Sequence, residues 1–159
     1  MLDEVTLLKQ IIENLEEELY VYKHDQLTNL LMRRDFEKKY EEYCDAGGVF
    51  YLTFVDINGL HALNRDLENG GYDVGDELIK SVVHKLTSST HNIVYKIGGD
   101  EFAIFSYRPI YFTEDKRFTY STVSNEGCNT LASLIRKADT EVTKLKEIFY
   151  SKNSRRKSR

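Results

Sequence analysis

Between Val94 and Phe105 the chain passes from one apolar, β-prone stretch (Val94-Tyr95-Lys96-Ile97) into another (Phe102-Ala103-Ile104-Phe105) across Gly98-Gly99-Asp100-Glu101. That order reads as an antiparallel hairpin, because the glycines reach backbone angles closed to other residues and turn the chain tightly. A sheet with antiparallel pairing follows from it. The two carboxylates then stand at the hairpin tip, anchored on both sides by apolar strands and next to bare backbone. Acidic groups held in that way suit a magnesium–phosphate ligand. Surface turns also use Gly and Asp for conformation alone, so the hairpin by itself leaves function open.

With 159 residues the chain can bury one good core and is too short for two ordinary domains. Its net charge of −4 argues against a general nucleic-acid binder, which is normally basic. No apolar run approaches a membrane span, and the acidic start Met1-Leu2-Asp3-Glu4 is unlike a secretory signal. Cys44 and Cys128 have neither zinc-site nor disulfide-framework spacing. A reduced, cytoplasmic protein without a membrane partner is expected.

Residues 1–24 read as one helix. Apolar residues recur at Val5, Leu8, Ile12, Leu15, Leu19 and Tyr22 in alternating steps of three and four, with Glu13, Glu16, Glu17 and Glu18 between them. This is the pattern of a short parallel coiled-coil seam. The alternative is an amphipathic helix lying on its own domain, although the stripe is narrower than such a face usually is.

Asp25-Gln26-Leu27-Thr28-Asn29-Leu30-Leu31 breaks this helix with side chains that bond to backbone. The spacing predicts a second helix over about 32–44, with Phe36, Tyr40 and Tyr43 on one face, ended by Gly47-Gly48. The run Val49–Val55 predicts a strand central in a sheet, with Asp56 at its carboxyl end. Helical spacing returns over Gly75–Leu86, and after the hairpin a strand is expected over about 117–123. A last helix, about 130–150, carries Leu131, Leu134, Ile135, Ala138, Val142, Leu145 and Phe149 on its buried side. Residues 151–159 form a basic tail expected to be flexible. Helices interspersed with strands around a hairpin predict an α+β sheet covered by helices.

Should the two strands be neighbours, Asp56, Asp100 and Glu101 converge at one sheet edge. Such a cluster repels itself unless a cation joins it, and Mg²⁺ prefers few carboxylates together with phosphate oxygens. Ordinary strand-end and turn acids remain the alternative on spacing alone.

Gly98-Gly99-Asp100-Glu101-Phe102 resembles the signature of the GGDEF family, the diguanylate cyclase domains. Asp25-Gln26-Leu27-Thr28-Asn29-Leu30 followed by Arg33-Arg34 resembles that family's D-x-L-T-G-L-x-N-R-R. Asp56-Ile57-Asn58-Gly59-Leu60-His61-Ala62-Leu63-Asn64 is similar to D-I-D-x-F-K-x-I-N, and Gly71-Tyr72-Asp73-Val74-Gly75-Asp76-Glu77-Leu78 to G-H-x-x-G-D-x-x-L. Ala138-Asp139, with Lys146 seven residues after the aspartate, resembles A-D-x-A-L-Y-x-A-K. The matches run in order over about residues 25–150, and the chain is identified as a member on them.

The resemblance implies a fold like the nucleotidyl-cyclase and polymerase palms. That is a ferredoxin-like, antiparallel-containing sheet flanked by helices, here with a coiled-coil helix (1–24) before the domain (25–150) and a basic tail (151–159) after it. It implies condensation of two GTP into cyclic di-GMP with Mg²⁺ or Mn²⁺ across a homodimer joined by the amino-terminal helix. By position, Asp56, Asp100 and the Ile57 carbonyl would hold the metal, and Asp100 and Glu101 would be catalytic, Glu101 assisting deprotonation of the 3′-hydroxyl. Asn64 and Asp76 would read guanine. Main-chain amides around Gly59-Leu60, with His61 and the Gly98-Gly99 turn, would line the phosphates, and Lys146 would neutralise them.

The chain also departs from the pattern. Asn58 stands for the second aspartate of D-x-D, Leu60 and His61 for Phe and Lys, Lys96 for the arginine before the signature, and Thr143 for a tyrosine. The guanine loop is lengthened within Arg65–Gly70, and a short connection (Ser106–Lys116) replaces the usual helix. The inhibitory R-x-x-D falls on Ser89–Asn92, so no inhibitory site is expected. An active minimal cyclase is the favoured reading, because Asp56, Asn64, Asp76, Asp100 and Glu101 are all retained. The alternatives are a catalytically silent module that binds GTP or a cyclic dinucleotide or dimerises, and a cyclase with an altered dinucleotide product.

Overall fold

A computed structural model describes residues 3–66, 68 and 71–157, with backbone alone described for 153–157. The first helix, α1 (Glu4–Lys23), is capped by Asp3, whose carboxylate accepts from the Thr6 N–H at 2.7 Å. No residue of α1 is buried, so the expected apolar stripe does not lie on its own domain. The seam residues Val5, Leu8, Ile12, Leu15, Leu19 and Tyr22 are all exposed. The end of α1 is tied to the domain by Tyr20, whose Oη donates to Asn29 Oδ1 at 2.7 Å, and by Tyr22, which accepts from Arg34 Nη1 at 3.3 Å.

The turn after α1 is built by Asp25, which accepts from the Thr28 N–H (2.9 Å) and Oγ1 (2.7 Å). It leads into β1 (Leu31–Met32), α2 (Arg33–Ala46) and β2 (Tyr51–Ile57). Two helices follow, α3 (Leu60–Arg65) and α4 (Tyr72–Ser89), then β3 (Val94–Lys96), β4 (Glu101–Ser106), β5 (Phe118–Ser124) and α5 (Leu131–Lys157). The strands form one mixed sheet in the order β1-β3-β4-β2-β5, with β1 parallel to β3 and the other pairs antiparallel. β2 is interior, as its continuous apolar run requires.

Alternation along the strands makes two cores. On one face Phe50, just before β2, and Leu52 and Phe54 of β2 meet Phe36 of α2 and Leu134, Ala138 and Val142 of α5. On the other, Val55 and Ile57 meet Ile79, Val82, Val83 and Leu86 of α4. The shortened connection after β4 covers this second face without a helix. Phe112 in it is 8 % exposed and packs edge-on to Phe118 and Tyr120. Its N–H donates to Tyr120 Oη (2.9 Å), which in turn donates to its carbonyl (3.2 Å).

Three expectations are corrected. β2 spans Tyr51–Ile57 rather than Val49–Val55, because the Phe50 N–H goes to the Asn125 side chain while Asp56 and Ile57 still find ladder partners on β5. The last helix continues past Tyr150 to Lys157, a run without glycine or proline, so the described backbone of the tail is helical. Leu145 is exposed: α5, at about 1.5 Å per residue, is far longer than the seven-residue strands beneath it, and its later turns outrun the sheet. The short helix α3 and strand β1 were not foreseen. The lengthening within Arg65–Gly70 reaches outside the described residues at 67, 69 and 70, as do the termini at 1–2 and 158–159. Among the described residues no helix is long and apolar enough to cross a membrane.

Candidate functional site

Antiparallel pairing of β2 with β4 sets Asp56 directly opposite Glu101, on the face that packs α2 and α5. At the next position the Ile57 N–H donates to the Asp100 carbonyl at 3.0 Å, which fixes the turn against the end of β2. The hairpin closes through the Ile97 and Gly98 N–H groups, both donating to the Glu101 carbonyl (3.0 and 3.3 Å). The Glu101 side chain folds back over this turn. A methyl group on Gly98 would lie 2.3 Å from Glu101 Oε2, so any side chain there displaces the Glu101 carboxylate from the turn.

Lys146, three turns along α5 from Leu134, reaches this edge from above. Its Nζ donates to Asp56 Oδ1 at 2.5 Å and to the Ile57 carbonyl at 3.3 Å. Burial pushes the Asp56 carboxyl up and Lys146 pulls it back, while Asp100 and Asp139 push it up again; the result lies above the usual carboxylate range. Glu101 is likewise raised, by burial and then by Asp100, Asp56 and Asp139, against a smaller opposing pull from Arg33. The sequence reading had not singled out Arg33 or Asp139 as site residues, although both stood within the motifs that carried the resemblance. Among the described residues no three His, Cys, Asp or Glu side chains gather closely enough to hold a metal on their own. The candidate donors are two carboxylates, Asp56 and Asp100, and one carbonyl, Ile57.

The second group of residues lies just beyond β2. Gly59 takes a left-handed φ of 74° and starts α3 without a side-chain cap, leaving main-chain amides of that first turn uncapped by any side chain. Leu60 is buried in the core, so it can offer a ligand only its backbone, and His61 is exposed. Asn64 lodges against Gly75 of α4, next to Asp76, where a methyl group would meet Asn64 Oδ1 at 2.0 Å. That oxygen is buried and has no hydrogen-bond partner. An unpaired buried acceptor is costly unless a ligand supplies the donor.

Two departures from the expected pattern are structurally occupied. Asn58 does not face the carboxylates' edge as a free group: its Nδ2 donates to the Lys116 carbonyl (3.1 Å) and its Oδ1 accepts from Thr119 Oγ1 (2.9 Å). Lys96 pairs with Asp25 at 2.9 Å, the two being 15 % and 19 % exposed. Burial pushes Asp25 up, but the bonds from Thr28 and Lys96 outweigh it and hold the carboxyl below its usual range.

Comparison with known proteins is consistent with this geometry. No curated protein sequence matches. Among solved structures, the coiled coil and GGDEF domain of DgcB from Caulobacter crescentus, in complex with c-di-GMP, superposes with a TM-score of 0.75 at 19% identity, over 91% of each chain. The S helix–GGDEF–EAL region of Vibrio cholerae LapD, bound to c-di-GMP, gives 0.72 at 16% identity over 88% of this chain and 38% of that one. The diguanylate cyclase SiaD of Pseudomonas aeruginosa, in complex with its activator SiaC, gives 0.68 at 16% identity over 88% and 64%. These likenesses carry the fold: a palm-like mixed sheet flanked by helices behind an amino-terminal helix. The sequence model described as "Diguanylate cyclase, GGDEF domain" matches residues 22–110, more than half of the chain and the stretch that runs from the Asp25 turn through the paired strands, and on that match the chain belongs to the GGDEF family.

Proposed function

We propose that this chain is a diguanylate cyclase. Two copies, each holding one GTP, join the 3′-hydroxyl of each nucleotide to the α-phosphate of the other, releasing two pyrophosphates as cyclic di-GMP forms. The observation that carries this reading is the pairing of Asp56 with Glu101 across β2 and β4, with Lys146 resting on Asp56 and on the Ile57 carbonyl.

The donor set fits a divalent cation. A positive group, the Lys146 ammonium, already lies on two of the three donors, and two carboxylates leave room for the phosphate oxygens and waters that magnesium prefers. Asp56, Asp100 and the Ile57 carbonyl would hold Mg²⁺ or Mn²⁺, which when bound offsets triphosphate charge and acidifies a hydroxyl. Glu101, made more basic by its surroundings, accepts the 3′-hydroxyl proton. The buried, unpartnered Asn64 Oδ1 and the neighbouring Asp76 accept from guanine N1–H and the exocyclic amine, donors that adenine lacks in that arrangement. The amides around Gly59 and Leu60, with His61 and the Gly98-Gly99 turn, cradle phosphates whose charge Lys146 neutralises. Each domain supplies half of the reaction, so the exposed seam of α1 serves to raise the effective concentration of a second copy.

The test is incubation of purified protein with GTP and Mg²⁺, with products identified by chromatography and mass. Cyclic di-GMP is expected from the wild type and not from Asp100→Ala. GTP binding with no turnover at any protein concentration would make the chain a receptor instead, and an adenine-containing product from mixed nucleotides would make it a different cyclase.

A further inference from the structure

We infer that Lys146 is an internal counter-ion that competes with the divalent metal: its ammonium fills the cation position between the Asp56 carboxylate and the Ile57 carbonyl, and nucleotide draws it away. The inference rests on the proposed metal ligands and adds a second role for Lys146, one exercised before any phosphate is present.

The geometry is specific. Lys146 donates to both atoms at once, and the side chains of Lys146 and Asp56 are only 21 % and 18 % exposed. Neither end of the pair is loosely held. Asp56 sits on an interior strand, and α5 is seated by buried Ala138 and Val142 and by the bond from Ser121 Oγ to the Ala138 carbonyl. Asp100, Glu101 and Asp139 add negative field at the same edge. A chain carrying those charges without a counter-ion would repel itself, and the ammonium removes that cost. The ammonium occupies acceptor positions on Asp56 Oδ1 and the Ile57 carbonyl and, as a like charge, repels a divalent cation brought to the same edge. A triphosphate offers the ammonium other oxygens, which frees Asp56 and Ile57. Metal and nucleotide therefore bind with positive coupling, and the coupling is reciprocal.

The experiment measures Mn²⁺ binding to the full chain by electron paramagnetic resonance of the free ion, with and without 3′-deoxy-GTP, which cannot react. Without nucleotide, Lys146→Met is expected to bind Mn²⁺ at least about tenfold more tightly than the wild type, and the enhancement by 3′-deoxy-GTP is expected to shrink by a similar factor. Lys146→Gln, which also lacks the charge, is expected to move in the same direction, and Lys146→Arg to remain as weak as the wild type. Mn²⁺ affinity in both neutral variants equal to or below that of the wild type overturns the inference. Adding Asp56→Asn to Lys146→Met separates the two levels. Loss of Mn²⁺ binding on that addition supports the ligand assignment whatever Lys146 does, whereas unchanged affinity refutes the ligand assignment and this inference with it.

Discussion

Replacing Gly75 by alanine separates recognition from folding. A methyl group there would stand 2.0 Å from Asn64 Oδ1, 3.1 Å from its Cγ and 3.2 Å from Leu60 Cδ1. Ordinary contact begins at 3.4 Å, so the Asn64 oxygen must retreat by about 1.4 Å, the difference between 3.4 and 2.0 Å. The backbone of α4 accepts alanine, whose helix propensity gains up to about 1 kcal/mol over glycine and offsets the crowding of Leu60. Stability is therefore expected to change by less than about 1 kcal/mol. On the role proposed for Asn64 the loss falls on the ligand: a hydrogen bond to guanine worth about 1 kcal/mol would be broken, and a guanine donor left unpaired would cost about 1 kcal/mol more. Together these make about 2 kcal/mol, or roughly thirtyfold weaker binding. Titration calorimetry with 3′-deoxy-GTP and Mg²⁺ gives the affinity, urea unfolding the stability, and ATP the specificity control. Wild-type affinity in Gly75→Ala, or a loss that merely tracks lost stability, would refute the role given to Asn64.

Other perturbations test the remaining structure. The raised carboxyl of Glu101 means that the folded protein holds this proton more tightly than the unfolded chain, so its contribution to stability is present at low pH and is lost as pH rises from 4.5 through the raised value. In urea unfolding without metal, Glu101→Gln should remove that falling component and leave the protein more stable at neutral pH; identical pH slopes would show that the carboxylates do not interact. Asn58→Asp, which restores the family's residue, should destabilise by about 0.5–1 kcal/mol and not strengthen metal binding, since it replaces the donor to the Lys116 carbonyl with an acceptor. Phe112→Ala should cost about 3–4 kcal/mol in urea unfolding, and a loss under about 1 kcal/mol would mean that the short connection does not cover the sheet. Leu15→Glu should lower activity per subunit most at high dilution, and dilution-independent activity would remove the case for the α1 seam.

Features written in local order were legible in the sequence. The hairpin, the interior strand before Asp56 and the helix presenting Phe36, Tyr40 and Tyr43 came from period and turn chemistry alone. The convergence of Asp56 with Glu101 required knowing that β2 pairs with β4, a long-range pairing that the sequence allowed only as a condition and the sheet displays. The engagement of Asn58 with Lys116 and Thr119 was illegible, because its partners lie about sixty residues away and an asparagine in a loop has many available roles. The cover over the second core was also hidden. Among Tyr107, Tyr111 and Phe112, only the packing against Phe118 and Tyr120 tells which ring is the buried one. The length of α5 was underestimated because a basic, polar end reads as solvated whether or not it is helical.

The lack of any buried residue in α1 has a consequence for how output scales. Helices draw most of their stability from packing an apolar face, so if two copies pair through α1, that pairing and the ordering of α1 reinforce one another. On the dimeric reading, below the dissociation constant the number of reacting pairs rises with the square of the chain's abundance. Doubling the copy number would then raise the signal about fourfold, until pairing saturates. Expression level is itself an input to such a protein.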